Sequence, residues 1–114
     1  IRDKKLLYRI FDDSVKEAKP IEIVIHLAGL KSVSESFIKP LEYWDVNVNG
    51  SLYIFKVMEE FDCRKIIFSS SALVYDHSRG GLYKEDAQIN PQNPYGKTKF
   101  AVENILLFFM GMFE

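Results

Sequence analysis

The residues in this chain best suited to chemistry are a tyrosine and a lysine four positions apart, in the segment Tyr95-Gly96-Lys97-Thr98-Lys99. On a helix that spacing puts both side chains on one face. A phenol of ordinary pKa about 10 is a poor base at neutral pH, but an ammonium group within a few ångströms favours the phenolate. Such a pair is a general acid/base. Some two dozen residues earlier, Ser69-Ser70-Ser71-Ala72 supplies hydroxyls that can donate and accept. A third segment, Leu27-Ala28-Gly29-Leu30-Lys31, combines small residues that let a ligand approach the backbone with a cation suited to phosphate or ribose. Singly, each has a plainer reading, since serines cap turns and a lone lysine is usually a solvated charge. Together they place three proton-handling groups at one crevice, provided the fold gathers them.

The elements that must position these groups are readable from hydropathy patterning. Leu6, Leu7, Ile10, Phe11, Val15 and Ala18 lie at spacings of three and four and predict an amphipathic helix over residues 4–18, ended by Lys19-Pro20. Residues 21–27 (IEIVIHL) are short, β-branched and almost wholly apolar, which predicts a parallel strand covered on both faces. Trp44, Val48, Leu52, Phe55, Met58 and Phe61 predict one long helix over 41–61, where Gly50 signals close backbone packing. Residues 65–70 repeat the strand pattern, 76–93 read as a loop, and Pro94 is suited to open a helix running to about Leu107. Helices alternating with strands imply an α/β fold built on a doubly wound parallel sheet. Ligands bind such sheets at the carboxyl ends of the strands, where residues 27–31 and 69–72 both fall.

Composition narrows the function. The chain has 114 residues, 15 basic against 16 acidic side chains, 47% apolar residues and a formal charge of −1, so no nucleic-acid or membrane-surface partner is expected. The longest apolar run, Ile105 to Met110, falls far short of the roughly 20 residues a bilayer span needs. Cys63 is the single cysteine, and with only His26 and His77 as further soft ligands no metal site is expected. One cysteine also points to a reducing compartment, hence a cytoplasmic location. His26, on an apolar strand, reads as a hydrogen-bonded core residue, Cys63 as inert, and Glu42 and Asp45 as an exposed helix face. The segment 106–113 is apolar all round and must be buried or invite association.

Several runs of residues resemble the UDP-glucose (UDP-galactose) 4-epimerases, which are extended short-chain dehydrogenase/reductases. They are Ile25 to Ser36 (IHLAGLKSVSES), Lys39 to Trp44 (KPLEYW), Asn47 to Gly50 (NVNG), Phe68 to Tyr75 (FSSSALVY) and Asn93 to Lys99 (NPYGKTK). The resemblance covers nearly the whole chain, from Ile1 to about Leu107. It implies that residues 1–114 are part of an NAD-binding, Rossmann-like domain lacking its first strands, with no second domain. The first residue, Ile1, and the absence of a G-x-x-G-x-x-G turn for the NAD pyrophosphate fit an internal fragment.

Carried over to matching positions, the resemblance implies that Tyr95 removes the proton of the sugar C4 hydroxyl and that Ser71 bridges that hydroxyl to it. Lys99 would hold the nicotinamide ribose and favour the Tyr95 phenolate. Leu27, Ala28, Gly29, Leu30 and Lys31 would lie along NAD together with Tyr95 and Lys99, and Ser71, Ala72, Leu73 and Tyr95 would face a UDP-sugar. The expected reaction interconverts UDP-glucose and UDP-galactose, with glucose and N-acetylglucosamine nucleotides both open as substrates. The full-length parent is expected to be a homodimer, and the isolated fragment inactive. Leu27, Ser32, Ser34, Leu73 and Asp76 depart from the family's usual Phe, Ala, Gly, Thr and Gly, and Leu73 removes a hydroxyl beside the substrate. Two alternatives stay open: an NAD-dependent nucleotide-sugar dehydratase or dehydrogenase, and a non-catalytic association fragment.

Overall fold

The computed structural model describes residues 1–80, 82–109 and 111, with Arg79 described by its backbone alone. Helix α1 (Lys4–Lys16) starts where the Asp3 carboxylate accepts from Leu6 N–H at 2.9 Å, and the chain leaves it at Ala18, in the left-handed region at φ 57°. The turn precedes the expected Lys19-Pro20 stop. Of the predicted apolar stripe only Phe11 is buried, while Leu6, Ile10 and Val15 stay exposed. Phe11 and Tyr8 meet Phe61, their rings 5.6 and 5.0 Å from it, and this fastens α1 to the end of the long helix.

Strands β1 (Ile23–His26) and β2 (Lys65–Phe68) pair in parallel, with Ile23 opposite Lys65 and His26 opposite Phe68. Side chains alternate between the faces of a strand. Val24, His26, Ile66 and Phe68 turn toward the helices and join a core of Phe11, Val48, Ile54, Phe55, Val57, Met58, Cys63 and Val102. The expectation of a strand covered on both faces fails: Ile23, Ile25 and Ile67 on the opposite face are 47, 61 and 54% exposed. All the apolar cover comes from one layer of helices. The two strands are adjacent members of the parallel sheet expected for the α/β class, and no further strand pairs with them among the described residues.

The long helix is in three parts: α3 (Pro40–Tyr43), a π-helical segment (Trp44–Asn49) and α4 (Gly50–Glu60). A π turn holds an additional residue, so the faces before it rotate by roughly 100° relative to those after it. Tyr43 is therefore fully buried and Trp44, expected inside, is 40% exposed. Gly50 lies where a Cβ would sit 2.6 Å from Ile1 Cδ1, the close packing its presence in a helix predicted. A short helix α2 (Val33–Ile38), capped by Ser32 Oγ accepting from Glu35 N–H, was not apparent from periodicity. Asp45 is half-buried and paired with Arg2 at 2.8 Å, whereas Glu42 is exposed as expected.

Helix α5 (Pro94–Phe109) begins at the predicted proline, and Asn93 Oδ1 accepts from Gly96 N–H at 2.7 Å in its first turn. Phe109 stacks on Phe55, but Phe108 is 73% exposed, so the apolar end of this helix is covered on one side. The remainder of the apolar run, Met110 and Met112 to Phe113, lies outside the described residues. The described residues of 76–93 form the expected loop, with a 3-10 turn (His77–Arg79), and Ile89 makes an antiparallel bridge to Tyr75 just before it.

Candidate active site

Lys99 projects from α5 to the end of β2. Its Nζ donates to Ser69 O at 2.8 Å and lies 4.8 Å from the centre of the Phe68 ring, and the residue is 6% exposed. Burial pushes its pKa below the usual lysine value, because a low-dielectric surrounding disfavours the ammonium. Tyr95, one helical turn earlier, is 8% exposed. The predicted Tyr/Lys pair therefore shares a buried stretch of one helix, held against the serine segment through the Ser69 carbonyl.

Close backbone approach brings the other end of that segment in. A 3-10 turn (Ala72–Val74) follows β2, and Ser71 Oγ caps it by accepting from Leu73 N–H at 3.2 Å. Gly96 sits directly on this turn, where a Cβ would lie 2.5 Å from Leu73 O. Glycine between Tyr95 and Lys97 is thus what lets α5 dock against the turn at Ser71, Ala72 and Leu73. Ser71 caps a turn, as serines at strand ends commonly do, and that turn lies against α5. Among the described residues Ser70 Oγ is buried without a hydrogen-bond partner.

The loop 27–31 reaches the same helix by another route. Leu27, Ala28, Gly29 and Lys31 are exposed, and Leu30 is half-buried and bonded through its backbone to Asn47. Gly29 was expected to admit a ligand. Its missing Cβ would stand 2.9 Å from Asn47 Oδ1, so the small residue there makes room for a protein side chain. His26 is the core histidine expected: it is 3% exposed and its Nε2 lies 2.8 Å from Ser51 Oγ. The Ser51 hydroxyl donates to Asn47 O, so it accepts from His26 Nε2–H. Burial, then the Lys99 ammonium and the N-terminal amine, lowers the His26 pKa to about 4, leaving the ring neutral at pH 7. No cluster of three potential metal ligands occurs among the described residues.

Sequence reasoning assigned no role to Asn47, Ser51 or Thr98. A signal was present: Tyr43, Asn47 and Ser51 recur every four residues as a polar stripe along an otherwise apolar helix face.

A sequence profile of the NAD dependent epimerase/dehydratase family matches residues 6–111. The chain belongs to that family. Among its relatives, UDP-glucose 4-epimerase 2 of Oryza sativa subsp. japonica is 45% identical over 105 residues, 92% of this chain and 24% of the rice protein. UDP-glucose 4-epimerase of Bacillus subtilis (strain 168) is 45% identical over 101 residues, 89% of this chain and 30% of the relative. The crystal structure of UDP-glucose 4-epimerase from Bifidobacterium longum in complex with NAD+ and UDP superimposes with a TM-score of 0.87 at 40% identity, covering 97% of this chain and 32% of that one. The chain thus spans about a quarter to a third of the length of these relatives, and shares their Rossmann-like fold.

The residues present fit the nicotinamide side of the cofactor in the family's name. Only one of the three N–H donors of Lys99 goes to Ser69 O, Ser70 offers an unpaired buried hydroxyl, and Leu27 and Ala28 are exposed. These are donors and acceptors of the kind that ribose hydroxyls and a carboxamide require.

Proposed function

We propose that these residues form the catalytic side of a UDP-glucose 4-epimerase, acting on the sugar C4 of UDP-glucose and UDP-galactose. The observation that carries the reading is the buried Tyr95 and Lys99 on one helix, docked by Gly96 onto the Ser71 to Leu73 turn. Tyr95 takes the proton of the C4 hydroxyl and, once the 4-keto sugar has turned over in the site, returns it to the C4 oxygen. Ser71 passes that proton by hydrogen bonding to both oxygens, and Lys99 holds the ribose hydroxyls with its two remaining donors. Leu27 to Lys31 line the path of the cofactor. When bound, NAD would supply the acceptor for the C4 hydride and its source for return to the other face of C4, with no net oxidation. The protein contributes orientation, proton handling and exclusion of water.

Elimination of water from the sugar, as a dehydratase performs, calls for a protonatable group next to the strand-end serine. Ala72 and Leu73 cannot serve. We therefore place the chain with the epimerases, acting in the cytoplasm as a homodimer when joined to the remainder of the site. The 114 residues by themselves do not turn over, since they contain no Gly-rich turn for the cofactor pyrophosphate.

The test is a graft. Residues 1–109 replace their counterpart in the Bacillus subtilis relative, and conversion of UDP-galactose to UDP-glucose is followed with NAD present. An active graft that loses roughly 10²- to 10⁴-fold with Tyr95→Phe supports the reading. Conversion that survives that substitution overturns it.

A further inference from the structure

Asn47 uses both donors of its amide and its acceptor, and it uses them in two directions. Oδ1 accepts from Leu30 N–H at 2.8 Å, while Nδ2 donates to Leu30 O at 3.0 Å and to Thr98 Oγ1 at 3.1 Å. The Thr98 hydroxyl donates onward to Tyr95 O at 2.7 Å. This network determines the orientation of the amide. Turned over, it would set Nδ2 against Leu30 N–H and Oδ1 against Leu30 O, a donor facing a donor and an acceptor facing an acceptor. Asn47 is 3% exposed and Thr98 fully buried, so the bonds from Asn47 to Thr98 and from Thr98 to Tyr95 are closed to water.

We infer that Asn47 is a positioning residue that latches the loop 27–31 to the Tyr95/Lys99 helix through Thr98, so that the two sides of the site keep one relative placement. The inference rests on the reading above that this loop borders the cofactor. The rest of the structure is built around the latch. Gly29 leaves the space that Asn47 Oδ1 fills, and the π-helical segment turns Asn47 inward together with Tyr43. The Tyr43 hydroxyl accepts from Ser32 N–H at 3.0 Å, so the loop is held at Leu30 and again just beyond its end. Aspartate would aim a carboxylate oxygen at Leu30 O, and leucine would take from the Leu30 N–H and C=O the side-chain partners they have here.

Hydrogen exchange on the 114-residue chain, with no cofactor added, tests the latch. In the unmodified chain the Asn47 side-chain amide protons exchange far more slowly than those of the exposed Gln88. Exchange at the same rate overturns the inference and needs no variant. Thr98→Val keeps the volume but removes the hydroxyl, and accelerates exchange of the Leu30 backbone amide roughly tenfold relative to Val57 and Met58 in the core of α4. Thr98→Ser restores the hydroxyl and the slow rate. Leu30 changing only in step with Val57 and Met58, or Ser behaving like Val, would reject the latch. Neither readout involves NAD or sugar turnover, so the outcome is separate from that of the epimerase graft.

Discussion

The Lys99 ammonium donates to the Ser69 carbonyl oxygen at 2.8 Å, joining residues 30 positions apart across α5 and the end of β2. The bond satisfies a backbone acceptor and places a cation two residues from Ser71. It also keeps a charge in a site that is nearly closed to water, which disfavours the ammonium.

Those opposing effects make the stability change on Lys99→Met small. The loss of one hydrogen bond to a charged donor, about 1.5–3 kcal/mol, is offset by removal of the buried charge. We expect a net change under about 1.5 kcal/mol by urea denaturation. A loss well above 3 kcal/mol would mean that Lys99 holds the fold together as well as equipping the site.

Two glycines in tight places differ in what surrounds them. At Gly96 a Cβ would meet the backbone oxygen of Leu73 at 2.5 Å, and neither helix nor turn can yield without shifting the site. Gly96→Ala should cost about 1–3 kcal/mol. At Gly50 the obstructing atoms belong to the flexible side chain of Ile1, so Gly50→Ala should be neutral or gain up to about 1 kcal/mol from helix propensity. Equal effects from the two, measured as urea midpoints, would contradict this account.

His26 makes stability depend on pH in a known direction. Its folded pKa of about 4 lies below the ordinary 6.5, so between these values the unfolded chain binds more protons and stability falls as the pH drops. Above pH 6.5 the contribution is complete, and the loss approaches about 3 kcal/mol by pH 4. His26→Gln keeps an N–H donor for Ser51 and removes the titration. Denaturant midpoints at pH 4.5 and 7.5 should therefore differ less in the variant than in the unmodified chain, and an undiminished difference would assign the acid sensitivity elsewhere.

Ile25 lies on the bare face of the sheet and is 61% exposed. Ile25→Lys should change stability by no more than about 0.5 kcal/mol, while reducing the binding of a hydrophobic dye and concentration-dependent light scattering. Destabilisation by several kcal/mol would show that this face is covered in solution.

Local residue patterns were enough to locate α1, the long helix over 41–61, both strands, the opening of α5 at Pro94 and the Tyr95/Lys99 pair, but not the short α2. Each depends on neighbours three or four residues away, on alternation, or on the limited conformations of proline. His26 as a core residue and Gly50 as a point of close packing were legible for the same reason: an isolated polar or tiny residue in an apolar run has few structural explanations. Tertiary structure alone decided the remainder. The π turn that sends Trp44 outward, the bare face of β1, Gly29 yielding space to Asn47 and Gly96 resting on Leu73 O all concern atoms distant in sequence. Periodicity reports which side of an element is apolar, but which neighbour arrives there, and whether any arrives at all, is settled by how the elements pack.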